Sequence, residues 1–374
     1  MTLRVLSVQM RDFRSYARAD ASLGEGLTVV HGPNGAGKSN LLEALYFGCT
    51  ARSPRTRNER ELVRFGEQAT RVVVQLADGL QAHELSVGYG ILPGSPRATK
   101  LMSADGAPVE RLLDIEGRPL LSVFLPDRLE LVKGPPALRR AHLDQLVSAI
   151  WPLRAFARLE YSRVLAQRNA LLGRIRSGRA SQSSLSAWDR ELASKALTLR
   201  AHRTAAIALL LEPFAERAGR LGCSGEVTLD YRASSSASDE DEFVAELQMR
   251  LRADLDRGFS NHGPHRDELA ILRDGRELRL YGSQGEQRLA LLALLLAERA
   301  VLACERRRMP LMLLDDVMSE LDSERRELLA DELSTGGQSV IATTDLAHVP
   351  GGADASVTRL RVSAGEILQE APIA

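Results

Sequence analysis

The chain has 374 residues, 44% of them hydrophobic, enough to bury a substantial core and to divide into two or three domains. Its 49 basic and 49 acidic side chains cancel, so net charge announces no nucleic-acid partner, and any such site has to be a local basic patch. Its 3 cysteines, Cys49, Cys223 and Cys304, are odd in number, far apart and without metal-ligand spacing, which argues against a disulfide framework or a zinc site and fits a reducing cytosol. The opening stretch is too charged for a signal peptide, and the longest apolar run, residues 289–297, is too short to cross a bilayer. A cytoplasmic protein without a membrane partner is expected.

In chain order, α/β texture comes first. Strands are predicted near residues 3–10 and 27–31, a helix from about Lys38, and further strands at 70–76 and 85–89, with Gly and Pro marking the turns. From about residue 137 to 221, apolar residues recur at spacings of three and four, which predicts two long amphipathic helices joined by the polar segment 174–184. An antiparallel helical arm or an ordinary packed helical domain both have this periodicity. The acidic stretch ASSSASDEDE, residues 233–242, reads as a linker or mobile loop. From about Asn261 the α/β texture returns. The expected organisation is a head at 1–135, a helical arm at 136–260 and the rest of the head at 261–374, one sheet domain completed by both ends of the chain.

The segment LTVVHGPNGAGKSNLLEAL places Gly32, Pro33, Asn34, Gly35, Ala36, Gly37, Lys38, Ser39 and Asn40 between a β-rich run and a helical pattern. This is the phosphate-loop signature in its required context. Small residues let backbone N–H groups close around phosphates at the positive end of a helix, Lys38 neutralises the outer phosphates of ATP, and Ser39 offers its hydroxyl to Mg²⁺. Far downstream, the apolar run of MPLMLLDDVMSELD ends in Asp315 and Asp316, as in a buried strand with carboxylates at its C-terminal edge. Asp315 is the expected Mg²⁺ ligand and Asp316 the group that orients or deprotonates the attacking water. Asp316 stands where related ATPases carry Glu, and its shorter side chain predicts slow hydrolysis.

Between these motifs lies YGSQGEQ, with Ser283, Gln284, Gly285 and Glu286 opening a strongly apolar helix. A helix start without bulky side chains suits phosphate, and Ser283 with Glu286 also spells a capping box. The order of motifs is a P-loop, Ser-x-Gly at a helix start, apolar-Asp-Asp, SELD at 319–322 and a β-run ending in Thr343 to Asp345. That order describes an ABC-type P-loop ATPase head with a helical, short coiled-coil-like insertion arm.

On these segments together with FRSY (13–16), the Pro126 to Arg140 stretch, HGPHRDEL (262–269), YGSQGEQR and LLDDVMSELD, the chain resembles the RecF family, bacterial recombination-repair ATPases related to the heads of SMC proteins. The resemblance departs at His142, where an aromatic is expected. It implies an ATP-dependent homodimer in which Ser283, Gln284, Gly285 and Glu286 act in trans on nucleotide held by the partner. It also implies weak, DNA-stimulated ATPase activity, binding to junctions between duplex and single strand in recombinational repair and replication restart, and RecO and RecR as partners in loading recombinase. Arg14 lies near the nucleotide in related heads. The segment ARSPRTRNERELVR offers Arg52, Arg55, Arg57 and Arg60 for salt-sensitive, sequence-independent phosphate contacts. An aromatic content of 4% argues against single-strand recognition by base stacking. His262 and His265 lack a third ligand and are expected to shape their loop. The sequence leaves Arg139 and Arg140 without an assignment.

Three rivals are set aside on the residues. A transporter subunit has a different signature and about half the present gap between it and the P-loop. A long-armed SMC or zinc-hook ATPase needs a longer arm and a CxxC hook. A nucleotide-switched DNA clamp with negligible hydrolysis shares every motif and differs only in rate.

Overall fold

The computed structural model describes residues 3–79, 81–91, 97–115, 117–334 and 336–371. The chain forms two compact units, one of Met1–Arg128, Arg220–Gly222 and Leu302–Ala374, the other of Leu129–Gly219 and Cys223–Val301. Among the described residues no helix is long and apolar enough to cross a membrane, and no disulfide joins the cysteines.

The first unit opens with β1 (Leu3–Phe13), β2 (Tyr16–Ser22) and β3 (Leu27–His31), followed by α1 (Lys38–Thr50). Then come β4 (Ala69–Asp78), β5 (Gln81–Ile91), β6 (Ala98–Ala104), β7 (Ala107–Pro108) and β8 (Leu121–Phe124). In β4, Val72, Val74 and Leu76 are buried and their neighbours are not, the period-2 alternation of a strand with one face on the core. Six of these strands form an antiparallel sheet in the order β2-β1-β4-β5-β6-β7.

The second unit holds α2 (Glu130–Lys133), α3 (Pro136–Ile150), α4 (Ala157–Arg176), α5 (Leu185–Arg220), β9 (Val227–Arg232) and α6 (Glu240–Arg257). It continues with β10 (Glu268–Arg273), β11 (Arg276–Glu277), α7 (Leu278–Tyr281) and α8 (Gln284–Arg306). The first expected long helix is broken: Pro152 starts a short 3₁₀ turn between α3 and α4, because proline lacks the N–H that would continue the ladder. The acidic stretch 233–242 is not a linker. Asp239 caps α6 by accepting from the Glu242 N–H at 2.9 Å, and Glu240, Asp241 and Glu242 occupy the first turn, where the helix dipole favours carboxylates. Just upstream, Arg200 donates to the carbonyls of Ser235 and Ala237. Helices α4, α5 and α6 meet in a core of Tyr161, Val164, Leu192, Ala196, Phe243 and Leu247.

Charge is buried beside that core. Arg168, fully buried on α4, donates to Asp189 at 2.7 Å, Asp254 at 3.0 Å and Ser260 at 2.6 Å, tying α5 and α6 to it. Arg203 likewise donates to both oxygens of Asp144, to the Pro264 carbonyl and to Asp267.

The chain returns to the first unit with β12 (Leu311–Asp315), α9 (Ser323–Ser334), β13 (Ser339–Thr343), β14 (Thr358–Ser363) and β15 (Glu366–Glu370). They complete a second sheet in the order β15-β14-β3-β13-β12-β8, parallel except for the antiparallel edge strand β15. Every residue of β12 and β13 is buried, as expected for parallel strands covered on both faces. Helix α1 packs on β1, β4 and β5 of the first sheet and on β12 and β13 of the second. Its Leu41, Leu42, Ala44, Leu45 and Phe47 are therefore all at 0–1% exposure, and the core of the unit is built around them.

The fold is α/β with a helical insertion, and one sheet is indeed completed by both ends of the chain. The divisions differ from those expected. The boundaries fall at 128/129 and 301/302, so residues 261–301, with the YGSQGEQ turn, belong to the helical unit. Replacing Arg168 with Met leaves Asp189 and Asp254 buried without their partner, and it should cost about 3–5 kcal/mol in denaturant unfolding. A loss below about 1 kcal/mol would show that this ion cluster does not hold the helices together.

Candidate nucleotide-binding site

Strand β3 delivers the P-loop at the C-terminal edge of the parallel sheet, the end at which such sheets bind ligands. His31, its last residue, pairs through Nε2 with Glu370 at 3.0 Å. Gly32 follows at φ +150, and a Cβ there would lie 2.2 Å from the Val362 carbonyl oxygen, so only glycine fits beside β14. Pro33, Asn34 and Gly35 are exposed, while Ala36, Gly37 and Lys38 are buried. The Tyr16 hydroxyl donates to the Gly37 carbonyl at 2.9 Å, where α1 begins. Lys38 folds back onto the loop, its ammonium donating to the carbonyls of Gly32 at 2.8 Å and Pro33 at 2.9 Å. Burial pushes the lysine pKa down, against the pull of Asp316 and Asp315.

The two acids arrive from β12. Asp315 is its last residue, 7% exposed, and burial raises its pKa while a hydrogen bond from Ser39 and the charges of Arg55 and Lys38 lower it. The sheet thus brings Ser39 and Asp315 into contact from opposite ends of the sequence. Asp316 follows at φ +52, its N–H donating to the Ala342 carbonyl at 3.0 Å, and its Oδ1 is buried without a hydrogen-bond partner. A hydroxyl, a carboxylate and an orphaned carboxylate oxygen are hard donors. They fit Mg²⁺, which keeps several waters and takes further ligands from phosphate.

Glu43 went unnoticed in the sequence. It lies on α1 at 0% exposure and accepts from Arg14 Nε at 2.9 Å and Nη2 at 2.8 Å, from Ser53 at 2.6 Å and from Arg55 at 3.2 Å. Arg55 also donates to Asn40 at 3.0 Å, and Asn40 to Ser15 at 2.9 Å. A carboxylate among the leucines of a core helix was the available signal, since such a group has to be paired. Arg14 pairs with Glu43, and Arg55, exposed like Arg52, Arg57 and Arg60, differs from them in bonding to Glu43 and Asn40 beside the P-loop.

In the helical unit, Ser283 and Glu286 form the capping box: the Ser283 N–H donates to Glu286 at 2.8 Å and the Glu286 N–H to the Ser283 hydroxyl at 3.3 Å. The first of these bonds holds the Glu286 carboxyl below its usual range, and Arg273 pairs with the same carboxylate. Gln287 is buried and donates to the carbonyls of Leu278 and Gly282. Ser283, Gln284 and Gly285 are exposed, next to Leu280 and Tyr281 at 64% and 66%. A Cβ on Gly285 would meet nothing within 4 Å, so the chain itself does not require glycine there.

A family model described as an AAA domain matches residues 7–88. The DNA replication and repair protein RecF of Heliobacterium modesticaldum is 35% identical over 355 residues, covering 92% of this chain and 93% of that protein. RecF of Chloroflexus aurantiacus is 36% identical over 387 residues, covering 96% and 97%. The chain belongs to the RecF family. The solved structure of the recombination mediator protein RecF-ATPrS in the RecFOR pathway superposes with a TM-score of 0.85 at 28% identity over 99% of both chains. An Smc head domain from Pyrococcus furiosus superposes with a TM-score of 0.59 at 16% identity over 99% of this chain and 97% of that one, a likeness of ABC-type fold.

The remaining candidates within the RecF fold have internal partners. Arg139 donates to both oxygens of Glu268 and to the Gly134 carbonyl, and Arg140 to the Asp267 carbonyl. His262 pairs with Glu246 at 2.5 Å, and His265 meets the Tyr161 hydroxyl at 2.6 Å and the Ser260 carbonyl at 3.0 Å. Among the described residues no group of three or more His, Cys, Asp or Glu has metal-holding geometry. His142, where an aromatic was expected, pairs with the buried Glu298 at 2.5 Å. Replacing Glu43 with Ala should cost about 1–3 kcal/mol of stability and weaken ATP binding at least tenfold by calorimetry. Unchanged nucleotide affinity would show that the network does not shape the loop.

Proposed function

We infer that the chain is an ATP-dependent DNA-binding protein of recombinational repair and replication restart, a cytoplasmic ATPase that works as an ATP-gated homodimer. Lys38 pairs with the outer phosphates of ATP, and backbone N–H groups of the loop between Asn34 and Ser39 close on the rest. Ser39 and Asp315 would hold Mg²⁺, which supplies charge neutralisation at the phosphates when bound. Asp316 orients the attacking water. Ser283, Gln284, Gly285 and Glu286 close over nucleotide held by a second copy. ATP then bridges two subunits, and hydrolysis loosens them. Arg52, Arg57 and Arg60 contact DNA phosphates, while Arg55 acts through Asn40 and Glu43. RecO and RecR are the expected partners in loading recombinase.

One observation carries the dimer. Glycine inside a helix costs about 1 kcal/mol relative to alanine, yet Gly285 stands in the first turn of α8 with open space around it. Its missing side chain makes room for something outside the chain, and the exposed Leu280 and Tyr281 beside it supply the apolar rim such a contact needs.

The orphaned, short Asp316 favours a second version of the same reading, in which hydrolysis is slow enough for ATP to act mainly as a switch. Single-turnover hydrolysis separates the two: a rate untouched by DNA and slower than dimer dissociation marks the pure switch.

Sedimentation with and without ATP and gapped DNA tests the whole reading, since it expects a dimer only with ATP and a larger complex only with both. Gly285→Ala should raise the stability of the ATP-free protein by up to about 1 kcal/mol and abolish the ATP-dependent dimer. A variant that still dimerises with ATP would remove the in-trans role of this turn.

A further inference from the structure

Phe65 is the most exposed large hydrophobic side chain described, at 102%. It sits at the tip of a four-residue turn closed by the Glu67 N–H donating to the Arg64 carbonyl at 3.0 Å, with Gly66 at φ +90. The turn is stapled to the body of the unit. Val63 bridges Phe13, the Arg14 N–H donates to Leu62 at 2.8 Å, the Arg64 N–H donates to Asp12 at 2.8 Å, and Leu62 and Phe13 are both at 0% exposure. A bare phenyl forgoes the roughly 1.5–3 kcal/mol that burial of such a side chain brings, and here a fixed backbone holds it outward.

Its surroundings indicate what it meets. Arg52, Arg57 and Arg60 precede it, all exposed, with no ion-pair partner among the described residues. Arg64 reaches Glu67 only at 4.0 Å. Of the nearby acids, Glu59 is taken up by Lys100, leaving Glu61 and Glu67 against these arginines. The following residues, Gly66, Glu67 and Gln68, are exposed and not apolar. A protein interface centres on a cluster of apolar side chains, whereas one aromatic face in an arginine-rich segment matches one base face among phosphates.

We propose that Phe65 stacks on an unstacked DNA base, so that the arginines hold the backbone of any duplex while Phe65 selects sites where the base stack is interrupted. A continuous duplex offers no free base face, and a gap or a single-strand branch does. This rests on the DNA-binding reading above. One presented aromatic suffices for it, despite the low aromatic content of the chain.

The test is fluorescence anisotropy in ATP on two labelled DNAs, a relaxed, covalently closed duplex minicircle and the same circle carrying a gap. Phe65→Ala should weaken binding to gapped DNA about tenfold, the weight of one stacked base, and leave the closed duplex unchanged. Phe65→Trp should restore the preference, with its indole emission quenched by gapped DNA. Equal affinity of Phe65→Ala and wild type for gapped DNA overturns the proposal, as does an equal loss on both DNAs. Loss of the ATP-dependent dimer by Phe65→Ala without DNA overturns it too, by placing Phe65 between copies of the chain. If the wild type binds neither DNA, the underlying DNA reading fails and the proposal with it. Because Phe65 packs on nothing, unfolding of the variant is not expected, and a melting curve verifies it.

Discussion

Burial of α1 between two sheets is the constraint on which the rest depends. A helix packed on β1, β4 and β5 from one side and on β12 and β13 from the other cannot shift without disturbing the core of the unit. Its first residues are Lys38 and Ser39, so fixing the helix fixes the phosphate groove. The same packing sets the distance to the acids, because β12 and β13 present Asp315 and Thr343 at the edge where β3 ends. The start of α1 is thus held by the core, and a groove fixed by packing spends less binding energy on ordering.

Charge placement follows from that packing. Glu43 is on the core helix, and its carboxylate is tolerated because two arginines and a hydroxyl satisfy it. In return it positions Arg55 near Asp315 and ties Asn40 to the surrounding loop. Near this network Lys38 rests on the Gly32 and Pro33 carbonyls, and one Asp316 oxygen is buried without a hydrogen-bond partner. In the proposed mechanism these two groups serve the triphosphate and the attacking water.

Contiguous motifs were the legible part of the site. The P-loop, the Asp315–Asp316 pair and the capping box each lie in one short segment, so spacing alone proposes them, and the sheet joins Ser39 to Asp315. Glu43 was hidden because its partners come from residues 14, 53 and 55, and only folding gathers them. Arg55 is exposed like Arg52, Arg57 and Arg60, and its bonds to Glu43 and Asn40 are not legible because sequence proximity does not show which arginine of a run finds a partner. The acidic run reads as a linker because a cap and a first turn have the same composition as a loop; its carboxylates are solvent-exposed, as a charged run predicts, but they open α6. Helical periodicity runs straight through Trp151–Pro152, and the break there follows from a single missing N–H. The domain boundary was misplaced for a related reason: β9, β10 and β11 give the helical unit a small sheet of its own, so α/β texture did not mean return to the head.

The central claim is that each nucleotide is held by the P-loop of one copy and the YGSQGEQ turn of another. Mixing two dead variants tests it most directly. Lys38→Met loses its own P-loop but keeps an intact turn, and Ser283→Arg keeps its P-loop but has a blocked turn, so neither alone should form an ATP-dependent dimer. Mixed, they should form a heterodimer with one working site, seen by sedimentation with ATP and with about half the wild-type hydrolysis per dimer. A mixture as inactive as its components, or a Ser283→Arg protein that dimerises and hydrolyses ATP by itself, would contradict the account.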